Sequence, residues 1–258
     1  MTSSTLLRGA AACLLVAGGT VRAQDAKAPV VVINTDRPAF ADSSVVVPIG
    51  SLQIENGFQE TGVGGQQTFD FPETQLRFGL FDKTELRFSV PDYYGHDGFS
   101  FTNGWSDTAA GVKQQLGPIH GFDVSVVLTL SFPSGSKFES SHGYDPSVQV
   151  PWSRKLSANW TAGGMLSVYW PTVGSSRNTT GQATFLFDRQ LTGPWDAFAE
   201  YVGDFPKLGG PVHLLHLGTA YKLTPHQQVD LHGGWGLSNA APDHLIGFGY
   251  SILLHSAH

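Results

Sequence analysis

From residue 51 onward, apolar and polar residues alternate with period two along one stretch of the chain after another. The plainest pair is 74–80 and 84–90, near-copies built on T-x-L-R-F and joined by Phe81-Asp82-Lys83. In each arm Leu, Phe and a third apolar residue share one face, while Gln75, Arg77, Glu85, Arg87 and Ser89 share the other. Successive side chains on a strand point to opposite sides, so this pattern predicts a sheet with one oily and one charged face. The short link forces antiparallel pairing. Residues 122–132 keep the rhythm longest, with Phe122, Val124, Val126, Leu128, Leu130 and Phe132 set against Asp123, Ser125, Thr129 and Ser131. Val127 breaks it once. The same reading predicts strands at 51–60, 106–116, 145–155, 160–170, 179–191, 195–203, 212–223, 229–237 and 244–253, with Phe69 and Phe71 extending the arm at 74–80.

Strands of soluble proteins run about five or six residues, whereas a tilted strand crossing a bilayer needs ~9–11. The length of these stretches therefore predicts an all-β chain, a transmembrane antiparallel up-and-down β-barrel of about twelve strands spanning 51–254. The links agree. Short ones at 81–83, 117–121, 156–159, 192–194 and 224–227 alternate with longer ones, up to 91–105 and 133–144. Short turns on one rim and long loops on the other place both ends of the barrel on the periplasmic side of a bacterial outer membrane. Trp160 and Trp170, at the two ends of one strand, suit two interfacial aromatic girdles; tryptophans capping a soluble core are the competing account.

The first 23 residues read as a cleaved secretory signal peptide, with Arg8, an apolar run from Ala10 to Ala17 and the small-x-small site Val21-Arg22-Ala23. Cleavage there leaves 235 residues without cysteine, since Cys13 is the chain's single one. Stability then rests on backbone pairing and packing, not disulfides. Losing Arg8 and Arg22 leaves 13 basic against 21 acidic residues, a formal charge of −8 that argues against nucleic acid as a partner. Residues 24–50, punctuated by Pro38 and Pro48, form an N-terminal segment leading into the barrel. Within it, Asp36 and Arg37 form either a local ion pair near or inside the barrel mouth or part of a solvated loop.

Candidate chemistry lies on the polar face. Glu55, Arg77, Glu85, Arg87, Asp107, Lys113, Asp123, Glu200, Lys222 and Asp230 are the expected pore-lining set, with Asp188 and His232 sharing their parity. Such residues either cross-pair and fill the lumen or line a narrow aqueous path that tunes which solutes pass. No metal site and no cofactor is expected: His213 and His216, three apart on a strand, point to opposite faces. An outer-membrane hydrolase would need a Ser–His pair on outer-facing positions, and the chain has no G-x-S-x-G.

Several stretches together resemble the family of outer-membrane channels named for the meta-pathway of phenol degradation. They are Thr35-Asp36-Arg37-Pro38, Val47-Pro48-Ile49-Gly50, Leu52-Gln53-Ile54-Glu55-Asn56-Gly57, Leu76-Arg77-Phe78-Gly79-Leu80 with its echo Glu85-Leu86-Arg87, Asp107 with Gly111-Val112-Lys113, and Pro133-Ser134-Gly135. The resemblance implies a non-enzymatic barrel for passive uptake of small solutes, hydrophobic or aromatic ones among them. Its partners would be that solute, the lipid bilayer and the barrel-assembly machinery. A closed structural or binding barrel is the alternative, and the barrel hydrolase a more distant one.

Overall fold

A computed structural model of the chain describes residues 31–97 and 103–255; the signal peptide expected at 1–23 and residues 24–30 lie outside them. Among the described residues twelve strands build a closed antiparallel barrel. They are β1 (Ser51–Val63), β2 (Gln75–Phe81), β3 (Thr84–Ser89), β4 (Thr108–Ile119), β5 (Phe122–Phe132), β6 (Asp145–Lys155), β7 (Trp160–Tyr169), β8 (Thr180–Thr192), β9 (Trp195–Pro206), β10 (Val212–Thr224), β11 (Gln227–Gly236) and β12 (His244–His255). Each pairs with its neighbour in sequence, and β12 returns to β1 in register from Ser51↔His255 to Gly62↔His244. Closure pairs backbone groups strand to strand, the condition a sheet must meet to cross hydrocarbon.

The links follow the predicted rhythm. Five tight turns join β2–β3, β4–β5, β6–β7, β8–β9 and β10–β11, and the longer connections all leave from the other rim. At the β4–β5 turn His120 and Gly121 have φ of 51° and 82°, the two left-handed residues that a two-residue type I′ hairpin requires.

Burial is inverted relative to a soluble protein. Leu166, Leu231 and Phe248 on the outer face are 59%, 54% and 57% exposed, while Glu55, Arg77 and Lys113 inside are at 0%. An apolar belt of this extent would drive aggregation in water and is satisfied by acyl chains. Aromatic side chains band both rims, with Trp160, Trp195 and Tyr221 exposed toward the turns and Trp235 toward the loops. Trp170 stands just past the end of β7, where its N–H donates to the Pro146 carbonyl.

One strand arm departs from the sequence expectation. Phe69 and Phe71 do not extend β2; they belong to a separate strand, Gln66–Phe71, that folds back on the far half of β1 and pairs with Tyr93–His96. Pro72 offers no N–H and Glu73 adopts φ 45°, so the extended chain cannot run through to Gln75.

The segment ahead of β1 lies inside the barrel. It starts at the turn rim, where the Ile33 N–H donates to the Pro225 carbonyl, and reaches Glu200, midway along β9, with Phe40 and Ala41. It then doubles back, so that Ile33 and Val47 pack together against Leu253. The returning limb crosses β2 at Gly79, where Gly50 N–H donates to the Gly79 carbonyl at 2.8 Å. A Cβ at Gly79 would fall 2.0 Å from the Pro48 oxygen, so only glycine admits the limb there.

Candidate functional site

The lumen is divided between this inward loop and open space. On the β1–β4 side, period-two alternation aims a patch of charge inward, and the loop supplies its complement. Arg77 on β2 pairs with Glu85 at 2.9 Å, Glu55 at 3.0 Å and Asp36 at 3.1 Å. It also donates to the carbonyls of Asn34 on the outgoing limb and Val45 on the returning one, clamping both. Arg87 reaches Asp36 and Asp42, and Lys113 reaches Asp36, Glu85 and the Ser43 carbonyl. Glu55 accepts the N–H groups of Asp36 and Arg37, and Glu85 that of Val47. Buried charge is tolerable in this form because each ion meets partners and hydrogen bonds within the cluster.

Arg37 does not pair with Asp36. Neighbouring side chains along an extended segment diverge, and Arg37 turns to Glu73 and Asp230 while Asp36 enters the Arg77–Arg87–Lys113 cluster. Its guanidinium lies against Gly57 and Gly249, a directly opposed pair on β1 and β12 where a Cβ would fall 2.2 and 2.4 Å from it. Across the lumen, Glu200 accepts from Phe40 and Ala41 and pairs with His216, which hydrogen-bonds His232 at 3.0 Å. His213, on the opposite face as its spacing predicts, meets Tyr201 Oη.

The loop leaves a cavity of about 550 Å³ beside it, walled by β5 to β10 and lined by Asp123, Asp188, Asp196, Lys155 and Lys222. Nearer the loop rim a second cavity of about 200 Å³ is lined by Gln75, Arg87, Ser89, Gln149 and Tyr169. Between them Met165 and Val127 are almost wholly buried.

The ten residues expected to line a pore thus fall in three places. Glu55, Arg77, Glu85, Arg87, Lys113, Glu200 and Asp230 bind the inward loop; Asp123 and Lys222 face the larger cavity. Asp107 precedes β4 and holds the 133–144 connection, accepting from Gly135 and Ser141. Burial would push its carboxyl up, but hydrogen bonds from Ser140, Gly135 and Ser141 hold it below the usual range. Asp42 and Glu73 were not among the expected residues: both sit in turn-rich stretches without periodicity, where parity carries no signal. Asp188 and Asp196 carried that signal, since they share the parity of Leu186 and Glu200.

A closed barrel, apolar without and charged within, with its own N-terminal segment folded into the lumen, has the architecture of an outer-membrane β-barrel. The chain belongs to the family described as "Putative MetA-pathway of phenol degradation", whose pattern matches residues 35–254. No curated protein sequence matches it. Among solved structures it is similar to an outer-membrane channel from Pseudomonas putida F1, with a TM-score of 0.65 and 11% identity over 84% of this chain and 100% of that one. It is also similar to the NanC porin (TM-score 0.54, 9% identity, 80% and 100% covered) and to the KdgM porin solved with disordered oligogalacturonate (0.53, 10%, 81% and 99%). At these identities the likeness is one of fold.

Proposed function

We propose that this protein is a passive outer-membrane channel for small solutes, hydrophobic or aromatic ones among them. The observation that carries the reading is the cavity of about 550 Å³ left between the inward loop and the β5–β10 wall. A cavity of roughly 150 Å³ already holds benzene, so this space is ample for a single aromatic ring. The family's name points to aromatic catabolism, and the similar solved structures are named as a channel and porins, not as enzymes. Apart from Asp107, the ten expected residues take two roles in this reading: those around Arg77, with Glu200 and Asp230, fix the loop, while Asp123 and Lys222, beside Asp188, meet the solute. In this reading residues 1–23 direct export, 24–50 are the N-terminal entry segment, and 51–254 are inserted by the barrel-assembly machinery.

A second reading, a closed structural barrel, is favoured by one observation, the burial of Met165 and Val127 between the two cavities. Planar-bilayer recording separates the two. Discrete openings from purified, folded protein support the channel; a silent bilayer with correctly folded protein supports the closed barrel. Uptake of phenol-sized neutral solutes into protein-loaded liposomes then tests the solute class.

A further inference from the structure

We infer that the open part of the lumen is a cation-preferring path whose selectivity is set by Asp123 on β5 and Asp188 on β8. The inference rests on the channel reading above and concerns which luminal charges a passing solute meets.

The luminal charges differ in whether they are already neutralised. Arg77, Arg87 and Lys113 each lie within 3.1 Å of at least one carboxylate, and Arg77 and Lys113 have no exposed surface. Arg37 is shared between Glu73 and Asp230. A charge cancelled by a partner at contact distance leaves little field for an ion farther off. These four basic residues are therefore spent on holding the loop; Arg87 also borders the smaller cavity, with its charge met there by Asp36 and Asp42.

The cavity wall is different. Lys222 pairs with Asp196 at 3.3 Å, which neutralises both. Asp123 and Asp188 line the same space and make no hydrogen bond or ion pair among the described residues. Lys155, exposed at the end of β6, is the remaining cation on the strand side of the cavity; Asp36, Arg37 and Asp42 border it from the loop side, each already paired in the clusters above. Lys155 and Asp188 flank Thr161 from opposite sides, two strand spacings or roughly 10 Å apart, so the lysine offsets only part of the acidic charge. The sum over Asp123, Asp188 and Lys155 is one net negative charge. Held in a narrow aqueous space with low-dielectric walls, such a charge concentrates cations and repels anions.

The test is a reversal-potential measurement in planar bilayers under a potassium chloride gradient. The wild type should reverse on the potassium side of zero. The double variant Asp123→Asn/Asp188→Asn should shift toward zero or past it, while Asp107→Asn, at the far rim, should keep the wild-type value. A wild type reversing on the chloride side, or a double variant that reverses where the wild type does, overturns the inference and leaves the channel reading standing. Folded protein that never opens overturns both. A second measurement needs no current: in Thr161→Cys, which lines the same cavity beside Asp188 and keeps both acids, a cationic methanethiosulfonate should react faster than an anionic one, and adding Asp123→Asn/Asp188→Asn should narrow the gap. Equal rates in the single variant count against the proposal.

Discussion

Replacing Arg77 by methionine gives the sharpest test of how the inward loop is held. The side chain volume is largely kept, but three carboxylates, Asp36, Glu55 and Glu85, lose the guanidinium that sits 2.9 to 3.1 Å from each. Two loop carbonyls, those of Asn34 and Val45, lose a donor as well. Removing one partner from a fully buried ionic cluster costs roughly 3–5 kcal/mol, because the remaining charges stay desolvated and unpaired. The wall is fixed by continuous strand ladders, so the loop should yield first, letting water reach the acids. At about 1.4 kcal/mol per factor of ten, the loop's opening equilibrium should rise by roughly two to four orders of magnitude. Hydrogen–deuterium exchange in detergent reads this directly. The amides of Asp36, Arg37 and Val47, which donate to Glu55 and Glu85, should exchange that much faster, while β8 and β9 keep their protection. Arg77→Lys should fall between, since a single ammonium cannot fork to several partners in one plane. Unchanged protection over 34–47 in the methionine variant, or equal loss around the whole barrel, would refute the clamp.

Three further outcomes follow from the same geometry. Gly79→Ala should displace the returning limb without unfolding β2, because the new methyl meets the Pro48 carbonyl; faster exchange of the Gly50 amide checks it, and wild-type exchange there counts against the crossing. Phe185→Arg, near the middle of β8 on the oily face, should lower the stability of the barrel in lipid vesicles by about 2–4 kcal/mol, measured by denaturant titration; an unmoved midpoint would mean that face does not meet acyl chains. Asp107→Asn should loosen the 133–144 connection to limited proteolysis. Because its carboxyl is held below the ordinary value of 3.8, the wild-type latch should stay intact at pH 5 and fade only as pH falls beneath that value. Cleavage rates that rise between pH 7 and 5 would assign the latch to another group.

Strand parity is a local property, and it placed Glu55, Arg77, Glu85, Lys113 and Glu200 inside the barrel from the alternation alone. β5 shows why: eleven residues in strict rhythm leave one arrangement against lipid, and the exception, Val127, is the buried apolar contact between the two cavities. Where a strand ends was less legible. Nothing in the alternation announces the break at Pro72 and Glu73, since Phe69 and Phe71 keep the pattern of an outer face on either side of a fold. The inward loop was illegible for a deeper reason. Its residues have no repeating environment, and Asp36 finds its partners 41, 51 and 77 positions away, at Arg77, Arg87 and Lys113. Adjacent Asp36 and Arg37 suggested a pair because sequence proximity was the only information on offer.

The position of Arg37 over the opposed glycines has a consequence for how the cylinder is completed. The junction of the opening and closing staves joins residues some two hundred positions apart, and it is the last pairing that chain order supplies. Arg37 spans that junction from within, touching Gly57 on one stave, the Phe248 carbonyl on the other and Asp230 on the next. The guanidinium that tethers the N-terminal segment is thus also a rivet across the seam.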